Sequence, residues 1–590
     1  LKTAQRLLIG VGFVAMITGL ALLFAPVLQN LLRSFTGPGD GSGHLFKELD
    51  ALAGEAIFRG LILLAAGLAL PHWRKIKSFV TRQNRLIPLA MLALVIITLP
   101  VIIGGHSALF GGQRIWWLGD DAMISMRYAH NMASGLGLVW NPGERVEGYT
   151  NFLWTLLLTL LHLLPISTAT TSLYVLLASL VLSLTAIRLL RRLIHLLGGG
   201  DLVLLSVLLS YVGSKNLLAW STSGFETILL MVMVLLSACR LVEESRRQQP
   251  QLGTFLLIGV MSLVRADALL LSAIFFTIAF FTQDDKRRVV LLTIVSLILP
   301  VSHFIFRYFY YGDWLPNTAY LKTTLWPGRI RAGVTYTLGF LWHYFFLIIL
   351  AIFATFRSAG KMERFLLSGF MAYLFYIAYA GGDAFGNYRF AMPMLPLLLV
   401  LGYIGIQRIS SRRQVRLGLA VLCFATLPLF PLSYKAIIAP FPFDVGNINL
   451  GLILKENTPA DCRVADCWGG SVFYFSERYG IDVLGKMDRI IARRPAFPGA
   501  NLAGHNKFDY DYSLGVLKPD LLVANFKWPV KEEEMSRTAS GNWAFVGQLY
   551  FNEYFRRYYL PNPVPLNTSR TIFVRGDSPL AGLTWHDLSH

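Results

Sequence analysis

The chain has 590 residues, 55% hydrophobic and only 15% charged, whereas an average soluble domain carries roughly a quarter charged residues. This excludes a large soluble enzyme, a disordered chain, a coiled coil and a disulfide-built miniprotein. The 53 Lys and Arg outnumber the 34 Asp and Glu, for a formal net charge of +19, which reads as basic residues kept in cytoplasmic loops to orient membrane spans and not as a nucleic-acid footprint.

Lys2 and Arg6 precede the apolar run 11–28. It is too long for a signal peptide and lacks a small-residue cleavage site, so it reads as a retained span whose N-terminus is cytoplasmic. A second run, 54–71, returns to the basic segment HWRKIKSFVTRQNR (72–85), and a third, 86–103, exits into a long polar outer loop, 104–150. Residues 1–85 therefore carry two additional leading transmembrane helices. The stretch NFLWTLLLTLLHLLP (151–165) is shorter than the roughly 20 residues a spanning helix needs. If it crossed, the next span, 170–190, would put the basic RLLRRLIH (188–195) outside, so 151–165 reads as a re-entrant or interfacial helix.

Further along, basic inside loops recur at 243–249, 283–288, 357–364 and 407–416. Parity between the first two requires a hairpin of short helices near 253–264 and 267–281, turning at Arg265 and Asp267. Outside loops fall at 220–226, 312–333 and 380–390, and a last span at 416–438 leaves everything after about 440 outside. The expectation is about thirteen spans, with the membrane body over 86–439.

The tail, 440–590, has no segment long enough to span. Its short apolar runs (INLGLILKEN, CRVADC, YGIDVLG, KPDLLVANF) alternate with helical pieces, the pattern of an extracytoplasmic α/β domain. The chain's four cysteines form no disulfide framework. Cys462 and Cys467 flank a short strand; five residues apart on extended chain they are too distant to bridge, so a disulfide needs a turn between them, and pairing and two free thiols both stay open. No His/Cys cluster has zinc-ligand spacing, so no metal ligands are assigned and the metal requirement stays open.

The informative polar groups lie in outer loops. Asp120 and Asp121 follow the aromatic pair Trp116 and Trp117 and start a helical pattern with Ile124, Tyr128 and Met132 at i+4 intervals, ended by Gly135 and Gly137. That pattern describes a helix lying along the interface. Either acid can cap it, and either can be a general base, since a carboxylate withdrawn from water beside a second one has its pKa raised.

The string DDAMISMRYAHNMASGLGLVWNPGERVEGYTNFLW, with VADCWGGSVFYFSERYGIDVLGKMDRIIAR and AGHNKFDYDYSLGVLKPDLLVA in the tail, resembles GT-C glycosyltransferases, in particular the mycobacterial cell-wall terminal arabinofuranosyltransferases and their bacterial relatives. The likeness covers roughly 86–590. It implies a polyprenyl-phosphate sugar donor, decaprenylphosphoryl arabinofuranose foremost, no other cofactor, and an acid pair that activates a hydroxyl of a cell-envelope glycan, lipid or protein acceptor at the outer face of the bacterial cytoplasmic membrane. No G-x-G-x-x-G or Walker sequence is needed for a lipid-carried donor, and none is found at a strand–helix junction.

A lipid phosphate needs cations. Lys322, Arg389, Arg265, His505 and Lys507 are the candidates, each being otherwise a snorkelling or ion-paired residue. Glu144, Arg145, Glu147, Tyr149 and Asn151 follow the acid helix and either line the sugar site or form a loop held by its own Glu–Arg pairs. Two further readings are a transferase using another polyprenyl-phosphate sugar, such as mannose, and a transporter or flippase of an amphipathic glycolipid. A transporter places its polar groups near mid-membrane, whereas here most lie in outer loops. The topology has a direct check: a reporter active only in the cytoplasm, fused after Pro440, is expected to stay silent, and robust activity would overturn the map.

Overall fold

The computed structural model describes residues 85–323, 328–358, 360–429, 438–500, 502, 504–562 and 570–582. The expected spans at 11–28 and 54–71 lie outside the described residues. Within them, four helices are long and apolar enough to cross a membrane: Leu86–Gly105, Thr168–Leu196, Lys286–Tyr311 and Arg389–Ile409. The number is six if the bent pairs Lys215–Thr222 with Thr227–Arg247 and Arg329–His343 with Phe345–Phe356 each count as one. Leu86–Gly105 and Lys286–Tyr311 turn most of their apolar surface outward, as helices facing lipid do.

Several shorter elements follow their sequence signals. The hairpin is Leu252–Val264 and Ala268–Thr282 with Arg265 to Asp267 at the turn. The debated stretch forms the 11-residue helix Phe152–His162, about 16 Å long at 1.5 Å per residue, which is half the hydrocarbon thickness. Leu157, Leu160, Leu163 and Leu164 on and after it are exposed. The helix in the expected last span is Arg413–Thr426, and 430–437 lie outside the described residues.

The tail carries a five-stranded sheet with spatial order β4-β3-β5-β7-β6. Its strands are β3 (Arg463–Asp466), β4 (Tyr479–Asp482), β5 (Leu521–Ala524), β6 (Tyr559–Pro561) and β7 (Thr571–Arg575). β3 runs parallel to both β4 and β5, with Val464 beside Gly480 and Leu521, while β7 is antiparallel to β5 and β6. Helix Pro442–Asn457 joins the preceding helices to β3. A two-stranded ribbon, β1 (Ser107–Phe110) and β2 (Gln113–Trp116), leads to the acid helix Asp120–Ala133.

That helix corrects two expectations. Its N-cap is Gly119, with Asp120 and Asp121 both inside the first turn, so neither acid caps it. It is also covered by protein on more than its apolar face. Ala122 through Ala129 are buried without interruption, while Met132 is the exposed end of the presumed apolar face. The cause is the tail, which covers it. Arg127 donates from Nε to the Trp140 carbonyl (2.7 Å) and from Nη2 to Asn141 Oδ1 (3.2 Å) and the Arg478 carbonyl (2.7 Å), with Nη1 on the Phe473 carbonyl. Asn141 mimics a strand neighbour, donating to the Gly480 carbonyl (2.8 Å) and accepting the Gly480 N–H (3.0 Å).

Gly470 makes the closest approach. A Cβ there would lie 1.8 Å from the Asp120 carbonyl oxygen, and backbone cannot yield as a flexible side chain can. Gly470→Ala is expected to part the tail from the acid helix and destabilise the fold by about 1–3 kcal/mol, read as a lower thermal midpoint and faster limited proteolysis of the tail. A wild-type midpoint would show that this contact is dispensable.

Candidate active site

In open α/β sheets ligands gather at the carboxyl ends of parallel strands. Here the carboxyl ends of β3 and β4 face the first turn of the acid helix. Beyond β3 the chain runs through Gly469 and Gly470 to Ser471, whose N–H donates to Asp120 Oδ1 (2.9 Å). Beyond β4 the turn is shaped by Asp482, which accepts the N–H groups of Leu484 (3.0 Å) and Met487 (2.8 Å). This turn projects Lys486, whose ammonium lies 2.9 Å from Asp121 Oδ1.

The turn is fixed from the other side by Asn317, at the start of helix Asn317–Thr323. Its amide donates to the carbonyls of Gly485 (2.9 Å), Lys486 (3.1 Å) and Asp488 (3.0 Å). The same short helix carries Lys322, so two cations are referenced to one rigid anchor. Arg389 opens the helical stretch Arg389–Ile409 and is locked by Asp383 in a bidentate pair (Nε to Oδ2 2.7 Å, Nη2 to Oδ1 2.9 Å). Its guanidinium lies over the rings of Phe385 (4.6 Å) and Phe225 (5.1 Å). Lys322, Arg389 and Lys486 are each within electrostatic reach of Asp121, and Lys322 also of the other two cations.

The two acids are thereby driven apart. Burial is the main influence on Asp120 and pushes its carboxyl up, with Asp121 adding to the rise and the Ser471 N–H and Lys486 opposing it. Its Oδ2 is shielded from solvent and has no hydrogen-bond partner among the described residues. Burial alone would raise Asp121 too, but the Lys486 charge and hydrogen bond, together with the charges of Lys322 and Arg389, outweigh it and hold Asp121 well below the usual carboxylate range. Lys322 keeps accessible surface while densely surrounded by protein, as a side chain opening onto a cleft does. That crowding, and then the nearby Arg389, push its ammonium down. Asp444, in the first turn of helix Pro442–Asn457, is pushed up to about 7 by burial and by the charge of Asp120.

The remaining sequence candidates are placed elsewhere. Arg265 pairs with Asp267 (2.9 and 2.8 Å) and faces Glu226 (3.7 Å) at the hairpin turn. Lys507 is buried and donates to the carbonyls of Tyr320 (3.0 Å) and Ala492 (2.8 Å), a structural clamp in place of a phosphate ligand. His505 stands against the Trp468 ring (5.6 Å).

Both readings of the loop after the acid helix give way to a third, since it is held by pairs that reach beyond it. Glu147 pairs with buried Arg307, and Tyr149 Oη lies 3.0 Å from Tyr311 Oη. Asn151 accepts from Ser125 (3.0 Å) and donates to Glu226 (2.9 Å). Glu144 accepts from Asn141 (2.9 Å) and the Tyr479 hydroxyl, and Arg145 lies over the Tyr310 ring (4.8 Å). Cys462 and Cys467 are buried free thiols. Among the described residues no group of three His, Cys, Asp or Glu side chains is placed to hold a metal ion.

Sequence reading missed Lys486, Asp383, Asn317 and Arg127. Lys486 and Arg127 carried a signal, since both stand within the quoted strings, Lys486 in a Gly-Lys turn directly after a strand.

No family model matches the chain. It is 30% identical over 227 residues to the terminal beta-(1->2)-arabinofuranosyltransferase of Mycobacterium tuberculosis, covering 36% of this chain and 36% of that protein. It is 24% identical over 374 residues to the protein of the same name from Corynebacterium glutamicum, covering 56% of this chain and 54% of that one. The chain thus spans between a third and just over half of the length of the curated relatives it matches.

Among solved structures, ArnT from Cupriavidus metallidurans bound to undecaprenyl phosphate superposes with a TM-score of 0.52 at 10% identity, over 83% of this chain and 98% of that one. Archaeal oligosaccharyltransferase AglB from Archaeoglobus fulgidus, in complex with an inhibitory peptide and a dolichol-phosphate, gives 0.50 at 10% identity, over 84% and 76%. The fold is that of the GT-C glycosyltransferases. The resemblance read from the acid loop and the tail is borne out, and the apolar helices with this GT-C fold make the chain a membrane protein.

In this GT-C frame the Asp121–Lys486 pair makes a pH prediction. The depressed carboxyl of Asp121 contributes stability that is present above its unfolded value of about 3.9 and is lost as pH falls through the lower folded value. Lys486→Met is therefore expected to lower the thermal midpoint by a constant amount between pH 5 and 8, with the deficit shrinking below about pH 4. A deficit that persists unchanged to pH 3 would contradict the ion pair.

Proposed function

We propose that the protein is a membrane glycosyltransferase that moves a sugar from a polyprenyl-phosphate donor to an acceptor hydroxyl of the cell envelope, at the outer face of the cytoplasmic membrane. The likeness to the two terminal arabinofuranosyltransferases supports arabinofuranose as the sugar and decaprenylphosphoryl arabinofuranose as the donor. The observation that carries this reading is the junction of two acids of opposite electrostatic character with three cations, where membrane helices meet the tail.

Lys322, Arg389 and Lys486 take the donor phosphate, and the polyprenyl chain extends into lipid along the exposed apolar helices. Asp120, with its raised carboxyl and unpartnered Oδ2, receives the proton of the acceptor hydroxyl. A carboxylate with pKa nearer the working pH is the better general base. The acceptor oxygen bonds to C1 of the sugar, the bond from C1 to the phosphate oxygen breaks, and polyprenyl phosphate leaves with the bonding electrons. Asp121 stays ionised and holds Lys486 at the phosphate. A donor carried by lipid is also what an outer-face compartment without nucleotide sugars requires.

Mass spectrometry of products formed from defined polyprenyl-phosphate sugars tests the reading directly. Asp120→Asn is expected to lower turnover about 10²–10⁴-fold with donor binding retained. Lys322→Ala and Arg389→Ala should each weaken donor use by about 1.5–3 kcal/mol, the loss of one hydrogen bond to a charged group. Full turnover in Asp120→Asn would remove it as the base, and unchanged donor affinity in both cation variants would move the phosphate site elsewhere.

A further inference from the structure

The membrane helices and the tail are also joined through Asn317, which is 4% exposed. Its backbone N–H donates to the Glu147 carbonyl (2.8 Å), in the loop that Arg307 anchors to helix Lys286–Tyr311. Its carboxamide nitrogen reaches the carbonyls of Gly485, Lys486 and Asp488, and its Oδ1 accepts from Arg493 (3.4 Å). Three carbonyl oxygens of one tail turn thus converge on one amide nitrogen, a set that only a donor can satisfy.

The helix that Asn317 opens, Asn317–Thr323, is held to the tail further along as well. Lys507 donates to the carbonyl of Tyr320 and to that of Ala492, and the Arg493 guanidinium covers the Tyr320 ring (4.2 Å). A Cβ placed on Gly504 would lie 3.8 Å from Lys322 Cε, so the lysine stem also passes close to the tail. In chain order Lys322 stands between membrane helices, but it is mounted on the tail together with Lys486. Arg389 is mounted differently. Its partners Asp383, Phe385 and Phe225 come from turns adjoining helices Lys361–Ala380 and Thr227–Arg247.

Like charges resist such a gathering. Lys322 lies within electrostatic reach of both Lys486 and Arg389, so the scaffold has to hold it there against repulsion. A contact whose only task was to dock the tail would gain nothing by bringing two lysines up to an arginine. An anion received between them offsets the repulsion.

We propose that Asn317 is a positioning residue for the donor phosphate: it makes Lys322 and Lys486 a single tail-borne unit that faces Arg389 of the membrane helices, so that bound phosphate bridges the two parts of the protein. The inference rests on the glycosyltransferase reading and adds a linkage to it. A ligand gripped from both sides binds more tightly when the tail is docked, and by reciprocity it docks the tail more firmly.

The test is binding of decaprenyl phosphate to the full chain in lipid nanodiscs. Asn317→Leu, which keeps the size and removes the donors, is expected to weaken binding about tenfold. A chain that also carries Lys322→Ala and Lys486→Met has nothing left to position, and adding Asn317→Leu there should change affinity by less than about twofold. A general loosening of the fold would weaken binding alike in both backgrounds. In the wild-type chain, where no substitution puts folding at risk, decaprenyl phosphate should slow hydrogen exchange in 317–323 and 485–493 together.

Unchanged affinity in Asn317→Leu, or an equal loss in the background without the two lysines, overturns the positioning role. So does protection confined to 317–323. If the chain without both lysines binds decaprenyl phosphate as the wild type does, the phosphate site itself lies elsewhere, and the donor reading of these cations falls together with the inference drawn from it.

Discussion

The backbone contact between Asp120 and Gly470 is the constraint on which the rest of the site depends. Two segments 350 positions apart come close enough that a single methyl group would not fit between them. The Ser471 N–H then lands on Asp120, Trp140 and Asn141 meet Gly480, and Arg127 is sealed in against four oxygen acceptors of the loop and the tail. None of these groups is buried by the membrane helices alone. The tail supplies the desolvation that raises Asp120, and it supplies the lysine that lowers Asp121. Two adjacent residues of one type acquire opposite character because two different turns of the same sheet reach them.

Much of the architecture was legible because it is written in short-range patterns. Run length separated helices that can span from the 11-residue helix at Phe152–His162, and charge parity demanded the hairpin that Leu252–Val264 and Ala268–Thr282 form. The acid helix was legible in extent but not in setting. An i+4 apolar face predicts one buried side, and it cannot anticipate that a domain folded from residues beyond 440 covers the other. For the same reason the cap was misplaced: Asp at a helix start favours the N-cap, but Gly119 takes that place and leaves both carboxylates free for the tail.

The site residues divide along the same line. Asp120, Asp121, Lys322 and Arg389 could be found because each stands beside a local punctuation mark in a polar segment between apolar runs. Asn317 could not, and Lys486 only through its place in the tail string, since their importance lies in a turn and a helix that meet only in three dimensions. Glu144, Arg145, Glu147, Tyr149 and Asn151 looked like sugar ligands because polar residues in a loop normally face water or substrate. Here each has a partner in a neighbouring helix, in a strand of the tail or, for Glu144, also in Asn141. Their conversion into scaffold keeps the loop rigid enough to place an acid pair.

The charge balance of the cleft bears on how such a site would favour reaction over mere binding. Three cations, Lys322, Arg389 and Lys486, face two carboxylates in ion pairs, Asp121 and Asp383, and a third, Asp120, that is ionised when it serves as the proposed base, so the site is close to neutral before donor binds. A polyprenyl-phosphate sugar is a phosphodiester and carries one negative charge, so in the proposed reaction the donor ground state is not over-bound. As the bond from C1 to the phosphate oxygen breaks, the leaving group moves towards a phosphomonoester, with about −1.5 to −2 charge. The additional negative charge develops beside ammonium groups already desolvated and held in place by Asn317 and Asp121, where electrostatic interaction is stronger than in water. In the proposed reaction the acceptor proton passes at the same time to Asp120, on the side of the acid helix turned towards Ser471, so the carboxylate that neutralises itself is not the one the cations need. Stabilisation then grows along the reaction coordinate, which is the condition for rate enhancement.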